Sequence, residues 1–263
     1  MQLPGGLVED GIRRRDCAFR PLSGTLELAL AEAGETAGNT PRAVTLALTT
    51  VLGHLGGAPA TPQRVAQLCV ADRQFLMREL ERHLGHTDGW FQVACRACAA
   101  QFDFHLDYAE LPVQEASAAY PRVHVAVAGQ DLAFRLPTGA DQEALASLPV
   151  AEAQSWLLRQ LAQQPVAVDE LDAQAIAAIE AELEAVSPGV VVQVQAHCPE
   201  CGAENQVDLN PYRALSHSSE ALLQEVHQIA AHYHWGEAEI LALPRTRRQR
   251  YLHLIDRARG MAD

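Results

Sequence analysis

The chain has 263 residues, 48% hydrophobic and 20% charged, enough for one large domain or two small ones and too apolar for a disordered chain. No apolar run reaches the roughly 18–20 residues of a membrane span, and Met1 to Asp10 lacks the basic-then-apolar layout of a secretion signal. All 20 basic residues are Arg, and the net charge of −13 disfavours a general nucleic-acid coat, which needs excess positive charge to meet phosphate.

Residues 1–24 read as extended. A short helix fits Thr25 to Ala33, and Gly34 to Asn39 reads as a flexible loop. Thr40-Pro41 opens a second helix through Val44, Leu48, Val51, Leu52 and Leu55, with Gly56-Gly57 as its stop signal. Thr61-Pro62 caps another. Ala71-Asp72 opens the longest of this region, with Leu76, Leu80 and Leu84 at i, i+4 and i+8. Residues 1–88 are therefore predicted to be an N-terminal helical module, followed by a first metal hairpin at 89–112. Residues 113–187 read as an αβ insert. Within it Val123, Val125 and Val127 alternate, Gly129 turns, and Leu132, Phe134 and Leu136 return as a β-hairpin. Helices follow from Pro137, from Ala151 to Gln163 and from Val168 to Val186. Ser187-Pro188-Gly189 leads to a second hairpin at 188–212, and residues 213–263 form a helical, Arg-rich tail.

Two C-x-x-C pairs carry the chemistry: Cys95-Arg96-Ala97-Cys98 and Cys198-Pro199-Glu200-Cys201. A two-residue spacer lets both thiolates of a tight turn face one ion, and two such turns complete a tetrahedral all-sulfur site. The 99 residues between Cys98 and Cys198 exceed the usual spacing of about 15–20. Internal similarity supplies what spacing does not. Residues 95–107 align without gaps on 198–210, and each pair sits between strand-like stretches. The pattern predicts one structural zinc per chain, shared by Cys95, Cys98, Cys198 and Cys201 as a split zinc ribbon. Redox dithiols, separate sites, or former sites without metal are the alternatives. Cys17 and Cys69 lack metal spacing and read as ordinary thiols, which fits a reducing cytoplasm.

Residues 244–263 carry +4, so the remainder carries −17. Such polarity suggests docking to an acidic neighbour, another copy of the chain included. Arg245, Arg247, Arg248 and Arg250, with Trp235 and Tyr251, are the candidate partner-binding residues. A solvated helix face with Arg stems over apolar surface is the alternative. No P-loop, dinucleotide glycine pattern, nucleophile elbow or H-E-x-x-H occurs, and no catalytic residue is assigned. His227 and His232 lie five apart, diverging by about 140° on a helix, so they do not chelate one ion. The expected fold class is α+β, mostly helical, with the split four-cysteine pair of hairpins and a small αβ insert.

The order of motifs resembles the T4-type bacteriophage baseplate protein family of contractile tails and phage-derived injection systems. Phe19-Arg-Pro-Leu-Ser-Gly-Thr-Leu-Glu27 is similar to that family's opening P-L-[ST]-G-x-x-E segment. Residues 68–78 resemble its L-x-V-x-D-R-x-x-L helix, with Leu84-Gly85 closing it. The first knuckle with residues 102–107 is similar to its C-x-x-C … I-D-L segment, and Phe134 to Asp141 looks like its R-x-P-T-x-x-D turn. Residues 233–244 and the Tyr251-to-Ile255 helix resemble the tails of baseplate and tail-assembly proteins. Two departures stand out: Ala99 replaces the glycine after the second Cys of the first knuckle, and the second knuckle is complete. The resemblance implies a non-enzymatic structural or assembly protein, cytoplasmic during assembly, and either a permanent part of the tail or injection particle or a helper in building it. Its partners would be other baseplate or tail proteins or the chain itself. The rival expectation is a nucleic-acid-binding zinc-ribbon accessory protein.

Overall fold

The extended N-terminus builds a sheet. In the computed structural model, which describes residues 1–127, 129–216 and 218–260, β1 (Gln2–Glu9) and β2 (Ile12–Phe19) pair as an antiparallel hairpin. The end of the predicted tail, Asp263 included, lies outside the described residues. α1 (Gly24–Thr36) starts at Ser23, whose hydroxyl accepts from the Leu26 N–H, and it runs into the predicted loop. α2 (Thr40–Val51) starts at Asn39, which accepts from the Arg42 N–H. The chain then leaves helix, and β3 (Leu52–Leu55) completes a three-stranded sheet against β2. Leu52 and Leu55 are fully buried at a three-residue spacing that fits a helix face equally well. That is why the predicted helix overran its real end at Val51. α3 (Pro62–Ala66), capped by Thr61, and α4 (Val70–His83) follow.

One polar tie fixes the sheet to α4. The fully buried Asp72 carboxylate accepts the Gly5 and Gly6 N–H groups at 2.7 and 2.6 Å. A Cβ on Gly5 would sit 2.6 Å from that carboxylate, and Gly6 has φ +103, so this approach requires glycine. The next residue, Arg73, is also buried and donates to Thr45 Oγ1 and the Pro41 carbonyl at 2.8 and 2.6 Å. Burying charges is tolerated only with such partners.

β4 (Asp88–Ala94) and β5 (Gln101–Asp107) form the first metal hairpin. β6 (Val113–Gln114) then enters the insert and pairs with β9 (Gly189–Val190), where the insert ends. The excursion is thus closed by its own entry and exit strands. Inside it β7 (Arg122–Val127) and β8 (Gln130–Arg135) make the expected hairpin. α5 (Gly139–Leu145), α6 (Val150–Leu161) and α7 (Ala173–Val186) follow, with a 3-10 turn at Val168–Glu170. Val123, Val125, Phe134, Leu158 and Ile179 build the insert's core, separate from the core under β1 to β3. Asp141 binds Arg135 through both oxygens at 2.6 and 2.8 Å and accepts the Thr138 N–H and hydroxyl. Burial raises the Asp141 pKa, but Arg135 and Thr138 outweigh burial and hold it below the usual aspartate value.

β10 (Gln193–His197) and β11 (Glu204–Asp208) form the second metal hairpin. A 3-10 turn at Arg213–Ser216 leads to α8 (Ser219–Tyr233), α9 (Glu237–Leu241) and α10 (Arg245–Ala258). Their shared core of Val226, Ile229, Ile240 and Ile255 also meets Leu28 of α1.

The expectation of a mostly helical chain is corrected by this architecture. Helix makes up about 46% and strand about 25%, in several small sheets. Residues 1–88, predicted as a helical module, hold three of those strands. β1 and β2 fall in the stretch read as extended, whereas β3 and β6 are missed because they pair with segments remote in sequence.

Candidate metal centre

Each metal turn is built by the strand ends around it. In the first, the Cys95 N–H donates to the Ala100 carbonyl and the Ala99 N–H to the Cys95 carbonyl, both at 2.9 Å. In the second, Cys198 donates to Ala203 and Gly202 to Cys198, again both at 2.9 Å. The residue after the second cysteine has positive φ in both: +61 at Ala99 and +72 at Gly202. The first turn therefore places alanine in a conformation that favours glycine.

The two turns face each other across a pseudo-two-fold relation. Cys95 and Cys198 are buried, while Cys98 and Cys201 reach the surface. Cys95 Sγ lies 3.7 Å from Cys201 Sγ, and Cys98 Sγ lies 3.7 Å from Cys198 Sγ. All four sulfurs lie within 4.8 Å of one another. A tetrahedron of sulfurs about 2.3 Å from a central ion has edges of about 3.8 Å. The cluster thus has the size and donor chemistry to hold a metal ion, as the sequence predicted for these four residues.

The thiols are electrostatically one group. Backbone N–H groups of Cys98 and Ala97 draw the Cys95 thiol down to about 6. The Ala100 N–H also lowers Cys98, but hydrogen bonding to Cys201 and desolvation outweigh it and push that thiol up to about 12. Thiolates this close would repel one another, and a bound cation would offset that repulsion. Cys17 and Cys69 stand apart. Both are buried, and burial pushes the Cys17 thiol up to about 12 and the Cys69 thiol up as well.

Asn205 supports the site and was not singled out from sequence. It is 1% exposed. Its Oδ1 accepts the Arg96 N–H at 2.9 Å, and its Nδ2 donates to the Ala203 carbonyl and reaches Cys95 Sγ at 3.7 Å. A residue of the second hairpin thereby fixes the first turn. The signal was present: Asn205 aligns with Phe102, a polar residue where the duplicate has an inward aromatic.

The predicted partner residues divide. Arg248 is fully buried and is corrected to an internal clamp. It donates to Glu27 and Glu225 at 2.8 and 3.2 Å and to the Leu243 carbonyl at 2.9 Å. Arg245 donates to the Leu84 carbonyl at 2.9 Å. Trp235 and Tyr251 pack together, edge to face, at 4.9 Å. Only Arg247 and Arg250 of the set are exposed. A periodic reading of α10 shows which residues share a face, not that Glu27, 221 residues away, waits for Arg248.

An open cleft of about 630 Å³ lies beside the insert. Two of its polar groups are already engaged: Tyr120 donates to the Gly6 carbonyl, and Arg135 holds Asp141. Among the described residues no helix is long and apolar enough to cross a membrane. The chain has no match among protein-family models, curated proteins or solved structures.

Proposed function

We propose that this chain is a non-enzymatic structural or assembly component of a contractile phage tail or injection-system baseplate, organised by one structural zinc ion. It acts through protein–protein contacts, is assembled in the cytoplasm, and its partners are other baseplate or tail proteins or further copies of itself.

One observation carries the reading. The polar side chains of the segments that resemble the baseplate family are engaged in holding the architecture together, Arg135 in the open cleft included. Ser23 caps α1, and Glu27 receives Arg248. Asp72 and Arg73 bind the sheet and α2 to α4. Arg135 and Asp141 lock the turn into α5. The cysteines clasp segments separated by 99 residues. Zinc suits four thiolates at tetrahedral spacing, and a closed set of four leaves no position for a substrate. Structural zinc sites of this kind have apparent binding energies of about 10–16 kcal/mol, ample to fix the hairpins against each other.

The test is deletion of the gene from a phage or injection cluster that encodes it. Electron microscopy should show sheath and tube parts without assembled particles. Normal contractile particles in the deletion strain overturn the proposal.

A further inference from the structure

We infer that the outer face of the first metal hairpin docks the outer arginine stripe of α10 from a second copy of this chain. Trp90 is 72% exposed, opposite His105 on β5, with ring centroids 5.3 Å apart. The same face carries Asp88 opposite Asp107 on one side of Trp90 and Asp103 opposite Gln92 on the other. Those acidic positions bracket the indole over about 13 Å of strand. The duplicate hairpin lacks this arrangement. At the aligned place Gln193 donates to Asp208 at 2.7 Å, with no aromatic ring. The metal turn therefore does not require Trp90, and the fold does not cover it.

α10 offers the complement. Arg247, Arg250, Leu254 and Arg257 fall within about 80° of one another at about 100° per residue. All four are exposed, Leu254 at 44%. Arg250 and Arg257 bracket Leu254 over about 10 Å. Among the described residues none of these three arginines takes an ion pair, whereas Arg245 and Arg248 are tied inward. One surface reads acid, aromatic, acid; the other reads base, aliphatic, base. Arginine over tryptophan adds a cation–π contact, and both residue types dominate interface energetics. The −17 body and +4 tail draw copies together in this orientation. Because each copy carries both halves, the contact is head-to-tail and builds rings or filaments. The inference stands apart from the baseplate reading.

Sedimentation of the metal-loaded full chain over a concentration series tests it. Self-association is expected, weakening as salt rises. Trp90→Gln, which installs the residue of the second hairpin, should weaken it by at least about tenfold, as should Arg250→Glu with Arg257→Glu. An equal mixture of the two variants should form dimers and nothing larger, since each retains one half. Gln193→Ala should leave association unchanged. A chain that stays monomeric throughout, or a Trp90 or arginine variant that associates like the unchanged chain, overturns the inference. So does a mixture that recovers no dimer, or a Gln193 variant with the same loss. Unaltered metal content and melting temperature show that each variant is folded.

Discussion

The two cysteine hairpins are one design used twice, and their differences separate what the four-sulfur cluster needs from what each neighbourhood needs. Turn geometry is shared: the same two hydrogen bonds at 2.9 Å, the same positive φ, the same buried and exposed cysteine. The strands are not. The first hairpin has seven residues per strand and turns Phe102 inward. The second has five per strand and turns Asn205 inward, to serve its partner's turn. The turns share their cysteines and the positive φ that follows them, while the strands differ with what each packs against.

The largest effect should come from breaking the clasp on either side. Cys95→Ser and Cys201→Ser should each lose the metal, with melting temperature and solubility falling together, by several kcal/mol of the site's energy. Metal analysis with calorimetry checks this. Loss from one pair alone that spares the metal would mean the hairpins do not share it.

The inward pair sharpens the comparison. Phe102→Ala should cost about 3–5 kcal/mol, as core aromatics do. Asn205→Ala should cost less, about 1–3 kcal/mol, chiefly by leaving the Arg96 N–H unpaired. Denaturant titration ranks the two. Equal costs would deny that one position packs while the other bonds.

The insert provides a region independent of the metal, and its stability should depend on pH through Asp141. That carboxyl has a lower pKa folded than unfolded, so its stabilisation is complete above the unfolded value and is lost as pH falls through the folded one. Asp141→Asn should remove about 2 kcal/mol at neutral pH and flatten this acid dependence. Melting curves from neutral to acidic pH check it; an unchanged acid slope would contradict the Arg135 pairing.

The smallest effect is a swap of the two turns' one discordant residue. Gly202→Ala should cost about 1 kcal/mol through φ alone, since nothing lies within 4 Å of the added Cβ. Ala99→Gly should be neutral or stabilising by up to about 1 kcal/mol, because relief at φ +61 is offset by glycine's greater unfolded freedom. A Gly202→Ala that raises the melting temperature, or an Ala99→Gly that lowers it, would break the equivalence of the turns.

Sequence reasoning reached what repeats or recurs locally. The duplicated knuckle predicted the four-sulfur cluster, and Val123 to Leu136 predicted the β7–β8 hairpin. Thr61 was recognised as a cap from its neighbours alone. What stayed hidden depends on remote partners. β3 is a strand because β2 lies beside it, and Leu52 and Leu55 carry no period-two signal. Arg248 looked like its exposed neighbours because its acids lie on α1 and α8. Asp72 looked like an ordinary first-turn acid until β1 brought two glycine N–H groups to it.

The shared ion is the central claim, and X-ray absorption on protein purified without added metal, combined with elemental analysis, tests it most directly. The account predicts about one zinc per chain in a shell of four sulfurs at about 2.3 Å. Two ions per chain, nitrogen or oxygen in the shell, or a metal-free protein with its cysteines in disulfides would contradict it.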